Sequence, residues 1–346
     1  MRRLSSARRV ATANDNERGV AGVLVALMML VLIGAGALAV DVGQIYAERA
    51  QLQNGADAAA LAVAKTCHKS GCDQAAADAL AKDLANANAN DGGSKVLTPV
   101  DLTQSKRVTV RTSTAQGKDG PGFLSKMFAS ALNAPPASVG AYAIAVYGPP
   151  SSGGGFPLAF SNKCWDLAGG VETGALQKVS WKPGTTCTNP SGTIVPGGWG
   201  WLLDPDNDCY AVTSTGNAAG SDPGSDKPDQ CKKVLESWIA TLDAHGTVDV
   251  PFPVFDTTTG VGKNAVYHII GYATFQIWGW KFGNNSVYEY HNKASDLEPK
   301  DKKLACSGGE DRCIIGKFVK FETTSSGGGG TDGVDLGTAE VRLVTK

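Results

Sequence analysis

The sequence predicts an α+β protein: an N-terminal transmembrane helix continuing into an extracytoplasmic helix, a small α+β domain, and a disulfide-bonded, mainly antiparallel β domain. Three observations predict it. Gly19 to Val40 is a run of 22 residues without a charge, and a helix needs about 20 mostly apolar residues to cross a bilayer core. Beyond Asp41, apolar side chains recur at Val42, Ile45, Leu52, Ala56, Ala59 and Val63, which is helical spacing with a narrow stripe. Past residue 155 the chain becomes short β-like runs between Gly and Pro turn signals, and six of its eight cysteines fall there.

Residues 1–18 form a basic tail, with Arg2, Arg3, Arg8, Arg9 and Arg18 against Asp15 and Glu17. Positive charge collects on the cytoplasmic flank of a span, so the N-terminus is expected inside and the bulk of the chain outside a bacterial cell membrane, in a single pass. Cleavage after "ALA" (Ala37–Ala39) is the competing reading, because a secretory signal ends in a small-x-small site. The apolar core runs on to Val40, however, and the helical pattern continues without a break, so residues 19–40 are read as a retained signal anchor. A prepilin-type leader would end at Gly19 and place a glutamate five residues later; Leu24 stands there.

The stripe after the membrane turns to alanine beyond Leu52, and small side chains let helices approach closely. Ile45, Leu52, Ala56, Ala59 and Val63 are the helix-packing candidates. They serve either the chain's own domain or a partner's helices. Three pieces of this region carry a family resemblance: "ERG" at Glu17–Gly19, "ALAVDVG" at Ala37–Gly43 and "LQNGADAAALA" at Leu52–Ala62. Their order and spacing resemble the N-terminal domain of TadG-like Flp (tight-adherence) pilus-assembly proteins. The resemblance implies a structural or assembly role in such a pilus, with the membrane and other pilus-assembly or pilin-like proteins as partners through the N-terminal helix.

"CHKSGC" then interrupts the helix, and "DQAAADALAKDLANANAND" resumes it. Cys67 and Cys72 have four residues between them, which is not the redox C-x-x-C spacing, and a disulfide pinning the turn is expected. "RVTVRTST" (107–114) alternates like a half-buried strand, "GFLSKMFASALN" (122–133) reads as a short amphipathic helix, and "SVGAYAIAVYG" as a strand over 139–147. Residues 41–148 thus make the TadG-like helix plus a small α+β domain, a succession similar to that of other Tad-type proteins. "PPSSGGG" (149–155) has linker composition, and residues 156–346 form the Cys-containing β-rich domain.

In that domain "VDVPFPVF", "AVYHIIGYATFQIWGWKF", "SVYEYH", "IIGKFVKFET" and "AEVRLVT" read as strands, and "CKKVLESWIATLDAHG" as its helix. Eight cysteines on one side of a span fit an oxidising compartment. Sequence neighbours suggest local pairs: Cys67–Cys72, Cys164–Cys187, Cys209–Cys231 and Cys306–Cys313. In the 265–282 run, simple alternation puts Tyr267, Ile269, Ala273, Phe275 and Ile277 on one face and Ile270, Tyr272, Trp278, Trp280 and Phe282 on the other. That pattern reads as a strand buried in a sandwich, or as an exposed aromatic patch for a partner or surface polymer.

Function classes can be trimmed. After Val40 the chain holds 32 − 5 = 27 basic and 33 − 2 = 31 acidic residues, the wrong sign for a nucleic-acid binder. His68, His245, His268 and His291 are scattered singly, without paired-ligand spacing. "DPDND" (204–208) opens like a calcium loop, but Cys209 replaces the glycine and Thr215 the closing glutamate, so an aspartate-rich turn is expected. "VFDTTTG" (254–260) offers Asp256 and Thr258 to a D-x-S-x-S metal site of the von Willebrand A type, but Gly260 lacks the second hydroxyl. No Walker loop or G-x-S-x-G motif is present. The sequence thus points to no enzyme, cofactor or metal, and to a membrane-anchored structural or assembly protein; an anchored or secreted adhesin or ligand-binding module is the alternative.

Overall fold

A computed structural model describes residues 16–90, 92–115, 122, 124, 126–133, 135–165, 167, 174–181, 198–222, 229–260, 264–284, 286–306, 311–323 and 330–344. Arg2, Arg3, Arg8, Arg9 and Cys187, and most of the glycine-rich 325–330 stretch, lie outside the described residues. Two compact units are present. The first comprises the chain up to Ala59, Ala75–Val100 and Val110–Ala143; the second comprises Ala60–Gln74, Asp101–Thr109 and Ile144–Lys346.

Helix α1 (Asn16–Ser70), which belongs to the first unit up to Ala59, enters from the N-terminus and is followed by α2 (Gln74–Ala87). At 1.5 Å per residue, α1 is about 80 Å long, far more than a bilayer requires. Strand β1 (Ser94–Val96) pairs antiparallel with β2 (Arg107–Thr114), and β3 (Gly140–Gly148) follows it in the sheet. The alternating side chains of β2 bury Val108, Val110, Thr112 and Thr114 on one face, as the 2-residue period requires. The helix α1 lies on this ladder: Thr112 Oγ donates to the Leu52 carbonyl at 2.9 Å and Gln53 Nε2 to the Tyr142 carbonyl at 3.1 Å.

The expected helix over 122–133 is corrected to a single 3-10 turn, Ala129–Leu132. Its backbone groups are taken by other partners. Leu124 exchanges hydrogen bonds with Ala137 at 2.7 and 3.2 Å, an extended pairing incompatible with helical i to i−4 bonding. The weak local pattern yields to tertiary bonding there.

The second unit contains a nine-stranded sheet with the path β6-β13-β11-β10-β5-β7. These strands are Gln177–Ser180 (β6), Cys313–Val319 (β13), Val266–Lys281 (β11), Val248–Thr259 (β10), Leu158–Ser161 (β5) and Trp199–Trp201 (β7). β11 is central, and β9 (Ala218–Gly220), β12 (Glu289–Tyr290) and β15 (Val334–Asp335) also pair with it. Most pairs are antiparallel; β5 with β10 and β11 with β15 are parallel. Ser152–Gly155, within the stretch of linker composition, forms β4 and pairs with β8 (Ala211–Ser214). After β13 the chain passes to β14 (Phe321–Thr323), which runs parallel to β16 (Thr338–Leu343), and β16 pairs antiparallel with β3 from Ala145 to Gly148.

The core of this unit is aromatic. Phe156, Phe160, Phe252, Phe275, Phe318, Trp199, Trp201, Trp238, Trp280 and Phe282 form one cluster with Leu158, Leu235 and Ile314. The helix α3 (Lys232–Asp243) contributes Leu235 and Trp238. Phe160 lies against Phe252 with centroids 4.5 Å apart, and Phe275 meets Phe318 edge-on at 4.9 Å, arrangements that add to plain area burial.

The two-face assignment for β11 needs correction. Ile277 pairs with Gly316 and Gly279 with Ile315, so Trp278 has no partner on β13. One extra residue inverts the alternation, and Ile270, passed over between Ile269 and Gly271 opposite β10, does so earlier: Tyr267 and Ile269 pack with Phe255, whereas Ile270 packs with the Ala273 side. Trp280 and Phe282 therefore join Ala273, Phe275 and Ile277 in the same core, while Trp278 remains 42% exposed.

Candidate functional site

Two regions hold the side chains that stand out chemically: the exit of α1 from its apolar stretch, and the edge of the β-rich unit near Trp278. At the first, Val20 to Ile33 and Leu38 are more than half exposed wherever the side chain is large, so none of these large side chains is covered by the described residues. It is the one helix among the described residues long and apolar enough to cross a membrane.

Burial begins abruptly at Asp41, which is only 5% exposed. Its carboxylate accepts the backbone N–H of Phe128 at 2.9 Å and of Ala129 at 2.6 Å, and Gln44 Oε1 accepts that of Met127 at 3.3 Å. A carboxylate placed at the start of a helical turn satisfies donors that the turn cannot. The segment 127–129 is thereby tied to the first turn of α1 beyond its apolar stretch. Asp41→Ala is expected to destabilise the first unit by about 1.5–3 kcal/mol, the range for hydrogen bonds to a charged group; denaturant unfolding with an unchanged midpoint would contradict this.

Farther along α1, Leu52, Ala56, Ala59 and Val63 are buried within the chain, at 2, 0, 0 and 1% exposure, and Ile45 is half-buried. Gly55 brings α1 and α2 together: a Cβ there would sit 3.2 Å from Ala85 Cα and 3.3 Å from the Ala85 carbonyl. Helix backbones this close admit a side chain only if one of them shifts by a few tenths of an ångström. Gly55→Leu is expected to cost at least about 1–3 kcal/mol, as overpacking does, with melting by circular dichroism as the measurement.

Residues 19–66 match the family of putative Flp pilus-assembly TadE/G-like proteins. This TadE/G-like segment coincides with α1 from the apolar stretch through the Gly55 contact. It ends before the Cys67–Cys72 turn, so the match describes the helix and leaves the domains beyond it uncovered. Neither a curated protein nor a solved structure matches the chain.

Of the cysteines, Cys67 pairs with Cys72, Cys209 with Cys231 and Cys306 with Cys313. Cys164 is also disulfide-bonded, and its expected partner Cys187 is outside the described residues. Cys67–Cys72 closes the turn between α1 and α2, where His68 stands 6.3 Å from the Tyr147 ring.

The remaining polar motifs resolve into turns and pairs. Asp204 is buried and accepts the N–H groups of Asp208 at 3.3 Å and Cys209 at 2.8 Å, so "DPDND" folds around its own first carboxylate. Asp256 accepts from Thr257 and lies 2.8 Å from His268 Nδ1 across the β10–β11 ladder. Among the described residues no group of three or more His, Cys, Asp or Glu side chains is placed to hold a metal ion.

At the edge of the β-rich unit, rings form a graded series from core to solvent. Trp280 stacks on Tyr290 at 5.2 Å, Tyr290 meets His291 at 4.0 Å, and His291 stands 6.0 Å from Trp278. Tyr290 donates its hydroxyl to Asp243 at 2.6 Å. Burial, then this bond and the negative charge of Asp243, push the Tyr290 phenol up to about 12, and burial alone pushes Tyr267 up to about 12. A phenol ordinarily titrates near 10. The stability these two contribute is therefore fully present below about pH 10 and is lost as pH rises through about 12. In a near-ultraviolet absorbance titration, Tyr267 and Tyr290 are expected to ionise well above pH 10, and Asp243→Asn to bring Tyr290 forward; ionisation of both near the ordinary phenol value in the native protein would refute it.

Proposed function

We propose that this protein is a single-pass membrane protein, with its N-terminus cytoplasmic and its bulk extracytoplasmic, that serves as a structural or assembly component of a Flp/Tad-type pilus. The observation that carries the reading is the coincidence of the TadE/G-like match with a helix whose large apolar side chains from Val20 to Leu38 are not covered by the described residues. Membranes lack a hydrophobic force between helices, and association there rests on close packing. Gly22, Gly34 and Gly36 have nothing within 4 Å of the place a Cβ would occupy. The Leu52–Val63 stripe is already occupied by the chain's own residues, so helix partners in the pilus machinery meet the stretch before Asp41. Orientation follows from the arginines ahead of it, and oxidised cysteines suit the outer compartment.

Fractionation with mass measurement tests the anchor: full-length protein in the membrane pellet is expected, and a soluble species beginning at Val40 would overturn it. Protease added to spheroplasts should remove everything beyond about Asp41 and spare the tail; survival of the β-rich domain would reverse the topology. Deleting the gene should abolish or reduce surface pili by electron microscopy, with rescue by the wild type; undiminished piliation would remove the assembly role.

A further inference from the structure

The edge of the β-rich unit carries a groove of about 520 Å³ between the end of α3, the turn into β10, and the ends of β11 and β12. Its lining includes Asp243, His245, Gln276, Trp278, Tyr290 and His291. The volume falls within the range of about 300–1,000 Å³ typical of ligand pockets.

Three backbone irregularities converge on it. The bulge at Trp278 turns that indole away from the core, the kind of re-aiming that bulges perform beside binding sites. His245 and His291 both hold positive φ, at 60° and 42°, a conformation that costs a side chain energy and clusters at functional sites. Trp278 is also the only tryptophan among the exposed large apolar residues of the described chain. Leaving an indole in water forfeits the stabilisation that burial gives, and here the core lies one residue away on either side.

From this arrangement we infer that the groove is a glycan-binding site, in which Trp278 stacks on the face of a pyranose ring and the rim groups bond its hydroxyls. The chemistry selects the ligand class. A pyranose has an apolar, C–H-bearing face and a girdle of hydroxyls that both donate and accept. The groove offers one flat aromatic face, backed by His291, beside a carboxylate (Asp243), an amide (Gln276) and an imidazole (His245). Both charge signs are sparse, which disfavours phosphorylated or highly anionic ligands. Tyr290 is held between Trp280 and His291 and donates to Asp243 at 2.6 Å, and side chains already held in place reduce the ordering that binding must supply. The site is independent of the pilus reading, and either stands if the other fails.

Full-length protein in nanodiscs, applied to an array of bacterial and host oligosaccharides and then titrated calorimetrically with the best neutral hit, tests it. Binding is expected, with Trp278→Ala weakening it at least tenfold. Trp278 is partly exposed, so its loss should leave folding intact. Thr247→Arg, which adds a bulky side chain to the groove's lining, should abolish binding with an unchanged melting temperature. No binding across the array overturns the proposal, as does binding that both variants retain. Capture of aromatic peptides, without glycans, by the wild type and not by Trp278→Ala would reassign the groove to a protein partner and equally overturn it.

Discussion

Arg342→Met is expected to destabilise the β-rich unit by about 3–5 kcal/mol, the usual cost of removing one partner from a buried ion pair. Glu340 is completely buried on β16, and its carboxylate has Arg342 Nε 2.9 Å away; the two are close as ions, although the N–H is not aligned as a hydrogen bond. They are two residues apart on one strand and so share a face. With the guanidinium gone, the carboxylate is left without its counter-charge in a dry site, which costs stability. The double variant Glu340→Leu/Arg342→Met should recover most of the loss, because apolar replacements of a buried pair are often close to neutral. Denaturant midpoints of the two variants measure this; a single variant within about 0.5 kcal/mol of wild type, as surface changes are, would show that the pair is inert.

Cys209→Ala/Cys231→Ala should cost about 3 kcal/mol, since closing a loop of this length restricts the unfolded chain by roughly that amount. The bridge spans 22 residues, both cysteines are buried, and Cys231 stands immediately before α3. Its loss frees the helix that places Leu235 and Trp238 in the aromatic core. For a unit of this size a loss of that magnitude lowers the melting temperature by roughly 6–12 °C. Scanning calorimetry of the variant, with wild type plus reductant as a companion, gives the number. A melting temperature unchanged by both treatments would mean that the pair contributes nothing.

Much of the architecture was legible in the residues because its signals are local. The charge-free run from Gly19 to Val40, the helical spacing after it, and the alternation in "RVTVRTST" each report an environment that neighbouring residues share. β2 accordingly coincides with the expected 107–114 strand, and α3 with the apolar spacing of Val234, Leu235, Trp238, Ile239 and Leu242. The pairing of β16 with β3 joins residues distant in sequence, and no local period encodes it. The 122–133 segment has amphipathic spacing, yet Asp41 and Ala137 claim its backbone. Within β11 the apolar composition reports burial, but irregularities at Ile270 and Trp278 each shift the phase of the residues beyond them.

The groove was hidden for the same reason. Its members come from α3, the following turn, β11 and β12, and only folding assembles them. One clue lay in the text of the sequence: "WGW" at 278–280 places a glycine between two indoles, and Gly279 lies so close to the carbonyls of Tyr290 and His291 that no side chain fits there. A glycine inside a strand pattern is a bulge signal.

The antiparallel ladder between β3 and β16 also has a consequence in time. β3 is complete once residue 148 has been made, but the strand that covers one of its edges is residues 338–343. During synthesis that edge presents unpaired N–H and C=O groups for as long as the intervening chain takes to emerge, and such edges invite pairing with other chains. Folding helpers would therefore act on a nascent intermediate whose exposed edge is β3, and chains cut before Thr338 should aggregate through it even when every disulfide and the whole aromatic core have formed.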